Sequence, residues 1–139
     1  MPDIAGYSGT PLPRKLGVRA GSRVLVVGAP AGWTLDPVPD EVELLRRDRA
    51  GTPPYDVVLA FCADRAALRR RFQPLFRRLT TAGALWVCWP KRSSGVRTDL
   101  DENVVRDHGL AAGLVDVKVA AIDATWSGLK FVVRLRDRA

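Results

Sequence analysis

Residues 22–30, Ser-Arg-Val-Leu-Val-Val-Gly-Ala-Pro, constrain the fold more than any other stretch. An apolar run without alternation has no solvent face, so it belongs in the middle of a parallel sheet, covered on both sides. Gly28 and Pro30 end the run abruptly and therefore fall at its carboxyl edge, where open α/β sheets place their ligand crevice. Tyr55–Cys62 and Gly83–Pro90 are apolar throughout in the same way. Between them Asp64 suits a helix cap, and Leu68, Phe72, Leu75, Phe76 and Leu79 share one helical face. Pro74 is expected to kink or divide that helix. Strand, helix and strand joined in this way form a right-handed parallel unit.

The remaining elements fall around this frame. Met1–Gly9 has no periodicity and reads as an arm, leaving 10–139 as a single domain. Thr10 as cap, Pro11 at the first helical position and Gly17 as terminator predict a short helix docked through Leu12 and Leu16. The prolines of Ala31–Asp40 exclude a full crossover helix, and Val42–Arg47 reads as an outer strand. Thr98, with Asp101 three positions on, predicts a capped helix ending near Gly113. Leu114–Ile122 alternates, and the short turn Asp123–Thr125 makes Trp126–Leu135 its antiparallel neighbour.

A chain of 139 residues with 47% hydrophobic content is of single-domain size. No stretch is apolar for the ~18 residues of a membrane span, and no secretory signal is apparent, so a cytoplasmic protein is expected. Cys62 and Cys88 lie inside apolar runs and read as buried reduced thiols, and neither they nor the single His build a metal motif. The net charge of +7 makes an anionic small molecule, an acidic protein or nucleic acid the plausible partners, against the plainer reading of a solvated basic face.

The short helix followed by Leu16-Gly17-Val18-Arg19-Ala20-Gly21-Ser22-Arg23-Val24-Leu25-Val26-Val27-Gly28 resembles the entry into the first strand of Rossmann-like class I methyltransferases. The resemblance implies an α/β fold with helices on both faces of a mostly parallel six-stranded sheet. Its order would be 2-1-3-4-6-5, with the last strand antiparallel. In two places the chain departs from that family. Pro30 interrupts the turn that is Gly-rich there, and Arg46 and Arg47 stand where the family carries an acid for the cofactor ribose. Both departures argue against adenosylmethionine, and no other cofactor is indicated. Tyr7-Ser8-Gly9-Thr10-Pro11-Leu12, Trp89-Pro90-Lys91 with Ser94-Gly95, Thr98-Asp99-Leu100 and Trp126-Ser127-Gly128-Leu129-Lys130 together resemble a small bacterial domain-of-unknown-function family numbered three-zero-five-two.

These placements bring Gly28, Pro30, Lys91, Ser93, Ser94, Gly95, Asp99, Trp126, Ser127 and Lys130 to the carboxyl edge as candidate ligand-binding residues. Basic side chains, hydroxyls and free backbone N–H groups are what an anion or nucleotide needs. Lys91 and Trp126 are expected to converge there, with Ser94-Gly95 supplying donors between them. His108 lies late in a helix that runs away from this edge, so no Ser–His or Cys–His pair is expected and no catalytic residue is assigned. The leading expectation is a non-catalytic binding or regulatory domain. The runner-up is a small methyltransferase-like transferase. A nucleic-acid-binding protein comes third, because the arginines at 65, 69–71 and 77–78 lack interleaved aromatics.

Overall fold

The computed structural model describes residues 10–138; the expected arm over 1–9 and the motif part Tyr7-Ser8-Gly9 lie outside them. The elements run α1 (Leu12–Lys15), β1 (Arg23–Val27), β2 (Glu43–Leu45), β3 (Tyr55–Phe61), α2 (Arg65–Phe76), β4 (Leu79–Pro90), α3 (Glu102–Ala111), β5 (Leu114–Ala121) and β6 (Trp126–Val133). Short 3-10 turns follow at Arg92–Ser94 and Leu135–Asp137. The sheet has six strands in the order β2-β1-β3-β4-β6-β5. β1 pairs in parallel with β2 and β3, and β3 with β4. β6 is antiparallel to both β4 and β5. This is the expected methyltransferase-like Rossmann order, and the strand direction reverses where the short turn requires it.

Burial on both faces explains the continuous apolar runs. Leu25, Val58, Leu85, Val87, Trp89, Leu129 and Phe131 point to one side, where Leu68, Phe72 and Leu75 of α2 and Val105 of α3 cover them. Each such fully buried side chain contributes about 1.5–3 kcal/mol. Val24, Val26, Val57, Leu59, Phe61, Trp86 and Cys88 point to the other, under Leu16, Val18 and Leu35. Trp86 is wholly buried there, and its indole N–H donates to the carbonyl of Leu16 at 3.0 Å, which pins the end of α1 to the sheet.

Several local expectations need correction. α1 is capped by Pro11, with no side-chain bond from Thr10. β2 is only three residues long. β4 begins at Leu79 rather than Gly83, since Leu79 already pairs with Tyr55 across a register shift. α3 is capped by Asp101, whose Oδ1 accepts from the N–H of Val104 at 2.8 Å. The Thr98 hydroxyl is committed elsewhere, donating to the carbonyl of Ala63 at 2.7 Å. Pro74 sits within α2 without ending it. Arg78 is not a solvated charge: it reaches Asp48 at 3.0 Å and stacks on Tyr55 at 5.2 Å.

Candidate functional site

The carboxyl edge gathers the ends of β1, β3 and β4 and the start of β6. At the end of β1, Gly28 has φ +76°, a conformation that costs a side-chain-bearing residue about 1–2 kcal/mol. Glycine is also required for space. A Cβ there would lie 2.7 Å from the carbonyl oxygen of Phe61 and 2.8 Å from Cζ of Arg71. Arg71, from α2, donates through Nη1 to that same carbonyl. Its guanidinium therefore occupies the gap between the ends of β1 and β3, the point where the strand order reverses. Cys62 follows Phe61, and burial pushes its thiol up to about 11 even though Arg71 favours the thiolate. Burial pushes the Cys88 thiol well up too, so neither thiol is a nucleophile at neutral pH.

On the α1 side of the edge three rings meet edge to face, Trp33 on Phe61 at 4.9 Å and Phe61 on Trp126 at 5.1 Å. Trp33 comes from the proline-rich loop that stands in place of a crossover helix, and its carbonyl accepts from Arg46 Nη2 at 3.1 Å. On the α3 side lies a cavity of about 540 Å3. Trp89, Val96 and Leu100 give it an apolar wall; Lys91, Arg92 and Arg97 give it positive charge; Ser127, Asp101 and Glu102 complete the polar lining. Asp101 has one oxygen in the α3 cap, and Glu102 pairs with Arg106 at 2.6 Å.

The cavity brings together Lys91, Gly95 and Ser127 of the sequence candidates. Lys91 and Trp126 do converge along the chain: Pro90 stands opposite Trp126, and the N–H of Lys91 donates to the carbonyl of Thr125 at 2.8 Å. Their surroundings differ, because Trp126 packs with Phe61 on the α1 side whereas the cavity opens beside Trp89 on the other. Gly28 and Pro30 lie at the same edge but do not line the cavity. Ser93 is exposed on the 3-10 turn. Ser94 and Gly95 supply no free donors. Their N–H groups bond back to Lys91 and Arg92, and the Ser94 hydroxyl donates to the Lys91 carbonyl at 2.7 Å. Asp99 is spent on the start of α2, accepting from the N–H of Arg65 at 2.8 Å.

Lys130 is displaced from this group altogether. It lies four residues into β6 from Trp126, and at about 3.4 Å per residue it stands toward the opposite edge, beside Arg19 and Ser22. His108 packs on Phe72 at 4.8 Å between α2 and α3, where burial and then Arg69 hold its pKa below the ordinary value. Sequence reasoning missed Arg71, Trp33, Arg97 and Asp101. Arg97 and Asp101 flank the motif it singled out, whereas nothing in the run Arg69-Arg70-Arg71 marks which arginine turns inward.

The groups at the ends of β1 and β2 do not fit adenosylmethionine. Ribose hydroxyls want an acceptor, and the end of β2 offers the donors of Arg46 and Arg47; the space beside Gly28 holds a fixed cation, and Pro30 has no N–H to give. The donor set suits an anion instead.

No family model matches the chain, and no curated protein sequence matches it. Solved structures do resemble it. TrmN from Thermus thermophilus superposes with a TM-score of 0.55 at 14% identity over 89% of this chain, which spans 47% of that protein, about half its length. The N-methyltransferase NodS from Bradyrhizobium japonicum WM9, in complex with S-adenosyl-L-homocysteine, gives 0.57 at 16% identity, covering 86% of this chain and 82% of NodS. A methyltransferase from Pyrococcus furiosus gives 0.50 at 13% identity, covering 86% of this chain and 78% of its own. These likenesses establish a methyltransferase-like fold. They go against the expectation of a non-catalytic binding or regulatory module, since the neighbours whose names state an activity are methyltransferases.

Proposed function

We propose that the chain is a small transferase of methyltransferase-like fold, acting at the carboxyl edge on a substrate that carries an anionic group. One observation carries the reading: the cavity beside Lys91 combines three cations, an apolar wall and two carboxylates on a fold similar to that of the N-methyltransferase NodS. Lys91, Arg92 and Arg97 hold the anionic group, and Trp89 and Leu100 receive an apolar portion. Ser127 orients the substrate by hydrogen bonding. Asp101, with one oxygen left over from its cap, takes the proton of the acceptor atom as that atom bonds to the transferred group, and the donor leaves with the electron pair of the broken bond. No step is assigned to adenosylmethionine. Membership of the family numbered three-zero-five-two is part of the same proposal and rests on the motifs quoted above.

The test pairs binding with turnover. Calorimetry is expected to show adenosylmethionine no tighter than the high micromolar range, about −5 to −6 kcal/mol. A panel of phosphorylated and carboxylated metabolites is expected to raise the melting temperature, and K91Q and R97Q to abolish the effect for the compound that binds. With that compound, mass spectrometry should detect a transferred group, and D101N should lower turnover about 100-fold or more with little change in binding. Binding without turnover for every donor offered would overturn the transferase reading. A low-micromolar constant for adenosylmethionine would overturn the misfit at Arg46 and Arg71.

A further inference from the structure

Lys118 on β5 and Lys130 on β6 stand directly opposite one another in the antiparallel ladder. Both face the α1 side, since Lys130 is in turn opposite Trp86, whose ring lies there. Like charges so placed repel, and the pairing itself gains nothing from them. Lys15, at the end of α1, reaches over the same strands and donates from Nζ to the carbonyl of Ala121 at 3.0 Å. Arg19 and Lys130 share a cleft of about 310 Å3 near the amino edge. Its one acid, Asp56, already accepts from the Arg23 N–H at 2.8 Å. Among the described residues none of Lys15, Arg19, Lys91, Lys118 and Lys130 forms an ion pair.

These cations feel one another in sequence. Burial, then Lys118 and Lys91, lower the pKa of Lys15. Burial, then Lys118 and Arg19, lower that of Lys130. Lys91 follows β4 at the carboxyl edge, Lys15 is bonded to Ala121 three residues along β5 from Lys118, and Lys130, opposite Lys118, shares its cleft with Arg19 toward the other edge. At its carboxyl end the line meets Trp126, half-buried against Phe61 on the same side. α3 packs on the opposite face of β5 and β6, and Lys118 stands exposed on this one.

We propose that this track binds the phosphate backbone of single-stranded nucleic acid, with Trp126 as a stacking surface at its carboxyl end. Cations strung along a path match a linear chain of charges better than one phosphate. An aromatic ring beside the path suits a base, which an acidic peptide does not offer. The track meets the transferase cavity at Lys91, but its other members, Lys15, Lys118, Lys130 and Arg19, do not line that cavity.

The test is fluorescence anisotropy of labelled oligouridylate and oligothymidylate with the full chain across a salt series. The comparison is K118Q/K130Q against R69Q/R70Q, a control pair on α2 at the other side of the sheet. The unaltered chain is expected to bind, with log K falling linearly in log salt. In K118Q/K130Q the slope should lessen by about 1.4 and low-salt affinity should fall about tenfold, as for two lost phosphate contacts to a single strand. R69Q/R70Q should keep the parental slope. Because K118Q/K130Q relieves a repulsion it should melt no lower than the parent, which circular dichroism checks. W126F should lose the tryptophan quenching that binding produces. Equal losses in the two double variants would overturn the proposal, as would no binding at low salt. So would polyglutamate or phosphatidylserine vesicles binding as tightly as the oligonucleotides.

Discussion

Gly28 and Gly95 have nearly the same left-handed backbone, φ +76° and +77°, and opposite surroundings. A Cβ at Gly95 meets nothing within 4 Å, whereas one at Gly28 runs into Phe61 and the Arg71 guanidinium. G95A is therefore expected to cost about 1–2 kcal/mol, the backbone penalty alone. G28A should cost about 3 kcal/mol or more, since Arg71 or the β3 carbonyl must also move. Urea unfolding of both variants reads the difference directly. Equal costs would mean that Arg71 does not occupy the gap between β1 and β3. Gly28 was legible in the sequence because a Gly closing an apolar run has a backbone reason to be there. Arg71 was not, because its bond joins α2 to the end of β3 beside Gly28 and leaves no trace in local spacing.

At the scale of elements, the strands were legible wherever burial on both faces erased alternation, and the direction of β6 followed from a turn too short for a crossover. Element ends were less so. Thr98 and Asp101 are both able caps, but the Thr98 hydroxyl accepts from the N–H of Leu100 at 3.1 Å and donates to the carbonyl of Ala63, far off in the chain. Lys91 and Ser127 reach the cavity because they lie at strand ends, which a topology places well. Lys130 was misplaced because a strand carries its residues away from an edge as it proceeds. The seating of α3 is equally invisible in the sequence. Gly109 faces Phe131 so closely that a Cβ would come within 2.6 Å of the ring Cδ1. G109A gains about 1 kcal/mol of helix propensity. Overpacking a fully buried ring should nonetheless leave a net loss of about 1–2 kcal/mol, seen as a lower urea midpoint at unchanged slope.

The whole molecule sets its two proposed sites on opposite faces of one sheet, with Lys91 at the edge they share. Its charge of +7 is thus not a uniform coat but falls partly into a cavity rim and a path. The same sheet ends at β5, an open border whose N–H and C=O groups invite another chain to add itself. Val117 and Val119 stand 52% and 43% exposed on that border, and between them lies Lys118, next to a register shift that bends the strand. A lysine in this place keeps one copy from zipping onto the next. K118V, which would join the two valines in an unbroken apolar stretch, is expected to self-associate with rising concentration in sedimentation velocity. K118Q and the parent should stay of one size. The residue that repels Lys130 within the molecule therefore also interrupts, by its polarity, the apolar border that a neighbouring copy would need.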